Sequence, residues 1–209
     1  AIILPLSLLG YFTHHKAFQV LEDKLKITTQ QNIEEVNRYL EEYLAGIDGL
    51  IKSLADNSNI RNLVIYKSFF EDITSKQEFI DKKEIVLELL KNIKNSNPNI
   101  KYVYLGTKDG DMYMYPNDKL PDDYDPRERL WYKKAVDIKK DVIWTEPYID
   151  AATGEIIITA AKAVSNNNGK VVGVVGIDIN LKNLSEKLSD ITVGRNGYVF
   201  VTDEKGTVI

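Results

Sequence analysis

Residues 155–179 read EIIITAAKAVSNNNGKVVGVVGIDI, two apolar stretches on either side of three asparagines and a glycine. Isoleucine, valine and threonine are common in both stretches, and these β-branched residues favour strands. The Asn168-Gly169 pair favours the positive φ angles of a tight hairpin turn. The sequence therefore predicts an antiparallel pair of strands over 155–164 and 170–179.

Two shorter strands are predicted upstream of this hairpin. Residues 102–105 and 112–115 have strand-like composition, and Lys108-Asp109-Gly110 between them is typical of a turn. Strand and helix patterns do not alternate here as they do in the βαβ units of a parallel sheet. The sequence therefore indicates an α+β fold in which helices flank an antiparallel sheet.

A long amphipathic helix is predicted before the sheet. No proline occurs from Ala17 to about Leu54, and apolar residues recur at alternating spacings of three and four until Asp56-Asn57-Ser58-Asn59 ends the pattern. Such a seam suits self-association of two helices, and packing of the helix on its own domain is the alternative. The seam consists of Ile33, Val36, Leu40, Tyr43, Ile47, Leu50 and Leu54.

A second helix is predicted between the long helix and the sheet. Asp81 and Glu84 have the spacing of a capping box, so we expect the helix to begin there. Asn97-Pro98 ends it, because proline cannot continue a helix.

The sequence patterns at the two ends of the chain predict one helix end and two strands. Ala1 to Phe12 carries no charge, and a membrane-spanning helix takes about 20 residues, so we interpret this stretch as the outer end of such a helix. A short helix buried in the core is the alternative. Residues 197–209 predict a strand, a turn and the beginning of another strand.

Composition excludes several classes of function. The 27 basic and 31 acidic residues are interspersed and the net charge is −4, so the chain lacks the basic face that nucleic acids need. It has no cysteine, and its two histidines are the adjacent His14 and His15, which leaves no thiolate metal site and no cysteine nucleophile. We expect no nucleic acid partner, no metal and no cofactor.

Residues 124–132, YDPRERLWY, predict a binding site. Asp125 is a good N-cap and Pro126 suits the first helical position, so a helix is predicted from here to about Ile138. Arg129 would lie in its first turn, where the guanidinium and the free backbone N–H groups suit a carboxylate. A solvated or ion-paired arginine is the alternative.

Acidic residues on later strands supply the opposite charge. Tyr148 and Asp150 share a face of a short predicted strand because side chains alternate. Asp178 lies on an otherwise apolar face, beside Gly176, which leaves room there. A buried carboxylate needs a cation or a hydrogen-bond donor, and that partner is Arg129 or the ammonium group of a ligand.

An α-amino acid has both of the groups that these residues could bind. Arg129 can serve its carboxylate, and Asp178, Asp150 and the Tyr124 hydroxyl can serve its ammonium group. An enzyme that uses Asp150 and Asp178 as an acid and base is an alternative, but no nucleophile or metal motif accompanies them. A dimerising module without a ligand is another, in which an Arg129–Asp178 ion pair would close an empty pocket.

The motifs at 124–132, 146–150 and 173–179, in this order behind a long helix, resemble the double Cache sensor domain of bacterial chemoreceptors and sensor kinases. The resemblance implies a receptor anchored in the cell membrane whose sensor lies on the extracytoplasmic side. We expect it to bind a ligand and not to be an enzyme, and the seam of the long helix predicts a homodimer. It implies a membrane-distal PAS-like module that binds the ligand and a smaller second module. The chain then divides into 1–15, the end of a transmembrane helix, 16–57, the stalk helix, 58–190, the ligand-binding module, and 191–209, the start of a truncated second module.

Within that family the chain resembles a subset that binds L-amino acids. In the pattern of that subset, Arg129, Trp131 and Tyr132 hold the ligand carboxylate, whereas Tyr124 and Asp178 hold its amino group. These positions carry the expected residue types.

Tyr148 and Asp150 match a further pair that lines the pocket, with Asp150 near the amine. Leu130 departs from the family pattern, which often has proline between the arginine and the tryptophan. The motif does not specify the ligand side chain. A histidine kinase or cyclase whose sensor binds another small molecule is the alternative to a chemoreceptor.

Overall fold

The computed structural model describes residues 3–69 and 76–189, together with Thr202 and Gly206. The chain forms two compact units, of which Tyr43–Glu186 makes up one and Ala1–Glu42 with Lys187–Val208 the other. The strands predicted within 197–209 fall outside the described residues except at Thr202 and Gly206.

Helices and strands are arranged along the chain as an α+β protein. The helices are α1 Ile3–Ala55, α2 Ser58–Phe69, α3 Lys76–Ser96, α4 Leu130–Ile138 and α5 Leu181–Ser189. The strands are β1 Ile100–Thr107, β2 Met112–Tyr115, β3 Ile143–Trp144, β4 Tyr148–Ile149, β5 Ile156–Ser165 and β6 Val171–Asn180.

The sheet is antiparallel throughout its described pairs and has the order β2-β1-β6-β5-β3, with β4 also paired to β5. β5 and β6 form the predicted hairpin to within one residue at each end. At its turn the Asn166 N–H donates to the Lys170 carbonyl at 2.9 Å, and Gly169 has a φ of 74°. The predicted α+β class is confirmed.

The predicted long helix is present as α1, which also includes residues from Ile3 onward of the segment predicted to end a transmembrane helix. Near its end, Ile47 and Leu54 are buried in the core of the unit Tyr43–Glu186, whereas Ile33 is 47% exposed. The downstream part of the seam therefore packs on its own domain, as the alternative interpretation had it. Within the described residues, no helix is both long and apolar enough to cross a bilayer.

The start predicted for the second helix is wrong. α3 begins at Lys76, so Asp81 lies inside the helix, where its carboxylate accepts a hydrogen bond from the Gln77 amide at 2.8 Å. Phe79 packs against the core, so the apolar face begins before the capping-box pattern. The helix ends at Ser96, as the following Asn97-Pro98 predicts.

Two apolar clusters lie on the two faces of the sheet. Val103 and Leu105 of β1 join a cluster with residues of α1, α2 and α3. Tyr102 and Tyr104 point the other way and join a cluster with residues of α4. Alternate side chains of β1 thus point to opposite faces of the sheet. One face packs against α1, α2 and α3, and the other, toward α4, contains the candidate site.

Candidate functional site

A small cavity of about 20 Å³ lies on the α4 face of the sheet. A volume of this size holds about one water molecule, so the lining side chains must move apart for a larger ligand to enter. Of the seven residues that the sequence predicts to bind ligand, six line the cavity and Tyr132 does not. The lining residues are Tyr102, Tyr104, Met112, Met114, Leu120, Tyr124, Arg129, Trp131, Tyr148, Asp150, Ala151 and Asp178.

The backbone at Arg129 differs from the predicted continuous helix. Pro126–Glu128 is a single 3-10 turn, capped by Asp125, whose carboxylate accepts from the Arg127 N–H at 2.9 Å. The Arg129 N–H closes this turn on the Pro126 carbonyl at 3.1 Å. Arg129 itself is extended, with φ −80° and ψ 147°, and precedes α4 as its N-cap residue. The predicted helix start at Pro126 is therefore wrong, because the turn closes before an α-helical ladder can form, whereas the predicted end at Ile138 is confirmed.

Arg129 brings a positive charge to the cavity. Its guanidinium carbon lies 5.3 Å from the centre of the Tyr124 ring, within reach of a cation–π contact. Among the residues that the structure describes, the guanidinium has no hydrogen-bond or ion-pair partner. The Arg129–Asp178 ion pair expected of a ligand-free module is therefore not formed, and the donors of Arg129 remain available to an anion.

Trp131 forms an aromatic wall of the cavity. It is 2% exposed, and its ring centre lies 4.8 Å from that of Tyr104. The ring fits only because residue 106 is glycine, since a Cβ atom there would lie 2.8 Å from the Trp131 ring. Tyr132 packs edge-on against Trp131 at 5.5 Å and is buried outside the cavity.

Asp178 is a buried carboxylate with neutral partners. It is 4% exposed, and its Oδ1 accepts hydrogen bonds from the Tyr104 hydroxyl at 2.7 Å and the Thr159 hydroxyl at 2.6 Å. Burial raises the pKa of Asp178 to about 7 despite these two hydrogen bonds. No ion pair to Asp178 occurs within the described part of the chain. A cation that enters the cavity would compensate this buried charge.

Tyr104 is a site residue that the sequence analysis missed. It pairs with Gly176 across β1 and β6, and a Cβ atom on that glycine would lie 2.5 Å from the Tyr104 ring carbon Cζ. The room left by Gly176 is thus occupied by the ring that reaches Asp178. Alternation within 102–105 was the available signal, because it placed Tyr102 and Tyr104 on one face.

A chain of hydroxyl groups continues from Asp178. The Tyr148 hydroxyl lies 2.7 Å from that of Thr159, which pairs directly with Asp178 across β5 and β6. Thr159 has a single hydroxyl proton and donates it to Asp178, so it accepts from Tyr148. Tyr124 also lines the cavity, and burial raises its pKa to about 12, so its phenol is a neutral donor at physiological pH.

Asp150 also lines the cavity, but unlike Asp178 it has a cationic partner. The ammonium group of Lys101 lies 2.9 Å from its carboxylate, and the Thr153 N–H and hydroxyl also donate to it. Burial acts to raise the pKa of Asp150, but the hydrogen bonds from Thr153 and Lys101 outweigh it and hold the pKa below its ordinary value. The charge of Asp150 is therefore already balanced, whereas that of Asp178 is not.

Known proteins with similar sequences and structures are receptors. The profile of the Cache domain, dCache_1, matches residues 17–209. Methyl-accepting chemotaxis protein TlpB of Bacillus subtilis (strain 168) is 28% identical over 202 residues, which cover 96% of this chain and 28% of TlpB. This chain thus spans under a third of the length of such curated relatives.

Solved ligand-binding domains share the fold. That of the Pseudomonas fluorescens chemoreceptor CtaA, in complex with L-serine, has a TM-score of 0.66 at 31% identity, over 90% of this chain and 71% of that chain. That of the Pseudomonas aeruginosa PAO1 amino acid chemoreceptor PctB, in complex with L-Gln, has a TM-score of 0.64 at 28% identity, over 84% and 63%.

Proposed function

The chain belongs to the Cache domain family, and from that membership we propose that it is the extracytoplasmic sensor domain of a bacterial transmembrane chemoreceptor that binds an L-amino acid. Its relatives are methyl-accepting chemotaxis proteins, and the neighbouring domains CtaA and PctB were solved with L-amino acids. These likenesses support a sensor, and the cavity supports the ligand class.

One observation carries the proposal: an unpaired guanidinium and a buried carboxylate without a cation line the same cavity. The zwitterion of an amino acid supplies both complementary charges. Arg129 would hold the carboxylate by a bidentate, charge-assisted pair, and Asp178 would accept the ammonium group. A simple amine or a simple carboxylate would leave one of the two site charges unmatched.

The aromatic residues would complete the site. Tyr124 would bind near the ammonium group through its hydroxyl, and Trp131 would exclude water from the carboxylate. We assign Tyr132 to positioning Trp131, because it packs against that ring outside the cavity. Tyr148 would act on Asp178 through the hydroxyl of Thr159.

Catalysis by an acid and base pair of Asp150 and Asp178 is not part of the proposal. Asp150 is bound by Lys101 and Thr153, so its lone pairs are already engaged. The proposed output is a displacement of long helices, which requires that the ligand bind two receptor states with different affinity. A kinase or cyclase output remains the alternative, and the chemotaxis proposal rests on relatives of which this chain spans under a third.

A thermal-shift panel of the proteinogenic L-amino acids, followed by calorimetry, tests the ligand class. Ligand at 100 times its dissociation constant should add about 2.7 kcal/mol to the free energy of unfolding. The matching decarboxylated amines and deaminated acids serve as controls, and neither should shift the transition. A panel without any shift would reject an amino acid ligand.

The variant Arg129→Ala tests the carboxylate assignment. Loss of a charge-assisted hydrogen-bonded pair of about 1.5–3 kcal/mol should weaken binding of the panel's best ligand about 10- to 150-fold in calorimetry. Arg127→Ala is the matched control, because Arg127 is exposed, pairs with Asp125 and lies outside the cavity lining. Equal affinity of the wild type and the Arg129 variant would show that the assignment is wrong.

A further inference from the structure

We infer that the side of the cavity formed by Met112, Met114 and Leu120 receives the side chain of the ligand and selects an uncharged aliphatic one. This inference rests on the proposed function, since it assumes an amino acid held by Arg129 and Asp178. With both charged groups of the ligand engaged, its side chain is left to occupy the part of the cavity that these residues do not line.

The polarity of the cavity floor changes across the sheet. On the β5 side, Asp178 lies opposite Thr159, whose hydroxyl bonds Tyr148. On the other side of β6 the next strand is β1, and Tyr104 of β1 pairs with Met114 of β2. Paired residues of an antiparallel sheet share a face, so hydroxyl and carboxylate groups give way to a thioether toward the β2 edge.

The β2 side offers apolar contact to a ligand. Both methionines of the chain line the cavity here, together with Leu120 from the segment that follows β2. Methionine side chains are flexible and polarizable, so they adapt to aliphatic groups of different shape. A charged side chain placed among them would lose its hydration without gaining a partner.

One acidic residue lies near this side and is already engaged. Asp118 accepts a hydrogen bond from the Tyr102 hydroxyl and is exposed to solvent. Its charge is therefore solvated, and we expect it not to recruit a basic ligand side chain. L-lysine is the ligand that tests this expectation.

The decisive measurement compares ligands of equal shape in calorimetry on the intact chain. L-leucine and L-asparagine have the same branching and nearly the same size. L-methionine and L-glutamine form a second pair of similar length, although only glutamine is branched. We expect each apolar member to bind at least tenfold more tightly than its amide, with L-aspartate and L-lysine weaker still. An amide or a charged amino acid that binds as tightly as L-leucine would overturn the inference.

Polar substitution should act on the ligand side chain alone. Met112→Gln and Leu120→Gln change partly exposed positions, which tolerate a polar group, and each should weaken L-leucine binding about tenfold while leaving L-alanine within about twofold. Leu130→Gln is the matched control, because Leu130 is exposed and lies outside the cavity lining. Equal losses for L-leucine and L-alanine would also overturn the assignment.

The two proposals fail in distinguishable ways. Binding of L-alanine with no preference between L-leucine and L-asparagine would reject the apolar subsite and leave the proposed function in place. Absence of binding by every amino acid tested would reject both.

Discussion

At the scale of single residues, two aspartates in one cavity differ in charge state because their partners differ. Asp150 has the ammonium group of Lys101 and the Thr153 donors, which lower its pKa against the effect of burial. Asp178 has two neutral hydroxyl donors, and burial raises its pKa to about 7. The cavity therefore contains a carboxylate whose ionisation is unfavourable until a cation binds.

Asp178→Asn should stabilise the ligand-free protein above neutral pH and abolish amino acid binding. The pKa of about 7 in the folded state exceeds the value of about 3.9 in the unfolded chain, so the folded state binds more protons between these values. The stability that this carboxyl group contributes is therefore present below about pH 4 and is lost as the pH rises through about 7. Asparagine keeps the shape and an acceptor for the Tyr104 and Thr159 hydroxyls without the charge.

Urea unfolding at pH 5 and pH 8 checks this sign. The free energy of unfolding of the variant relative to wild type should increase from pH 5 to pH 8. Asp137→Asn, at an exposed position of α4, should show no such increase. A pH-independent difference for the Asp178 variant would contradict the assigned ionisation, and calorimetry with the panel's best ligand reports the loss of binding.

At the scale of elements, the site depends on two close approaches at glycines, one between β1 and α4 and one between β6 and β1. Gly106 admits the Trp131 ring, and Gly176 admits the Tyr104 ring. Neither glycine is needed for a turn, since the turns at Gly110 and Gly169 have positive φ angles and these strand positions do not. Small residues on the strands thus allow two large aromatic side chains to reach one carboxylate and one cavity wall.

Gly176→Ala should destabilise the protein by about 1–3 kcal/mol, the usual cost of overpacking. The added Cβ would overlap the Tyr104 ring and push its hydroxyl from Asp178, so ligand affinity should fall as well. Gly46→Ala is the control, because Gly46 is an exposed helical position of α1 with no atom near the added Cβ. It should stabilise by about 0.5–1 kcal/mol through helix propensity.

Chemical denaturation of both alanine variants measures the two effects. Equal stability of wild type and Gly176→Ala would mean that the Tyr104 ring moves aside without cost. In that case the hydrogen bond to Asp178 would not require this close approach.

At the scale of the whole molecule, α1 contributes to both compact units. Its downstream seam is part of the core of Tyr43–Glu186, through Ile47 and Leu54. Upstream, further apolar residues spaced by three, four and eight positions are exposed in the single chain. We propose that this upstream seam pairs with a second copy in a homodimer; it consists of Phe18, Leu21, Leu25 and Ile33.

Leu25→Asp should convert the proposed dimer to a monomer in sedimentation velocity, because a charge in a seam position is buried without a partner on pairing. Val20→Asp is the matched control, since Val20 is also apolar and exposed but lies off the seam. The control should remain dimeric. A wild-type chain that is monomeric across the micromolar range would reject pairing through α1.

Local patterns in the sequence were sufficient for the strands, the hairpin and the long helix, because alternation, heptad spacing and turn chemistry act between near neighbours. They also predicted Arg129 and Asp178 as candidate site residues, and both line the same cavity. Helix starts at Asp81 and Pro126 were predicted wrongly, because core packing by Phe79 and closure of a 3-10 turn outweighed the capping signals.

The partners of each charge were decided only by the tertiary structure. Tyr104 and Thr159 reach Asp178 from strands on either side of β6, and Lys101 reaches Asp150 from a residue 49 positions away. Such contacts depend on strand register, which no local pattern encodes. They determine which of the two aspartates is ion-paired and which has no cation beside it among the described residues, because burial and distance set the ionisation of a carboxylate.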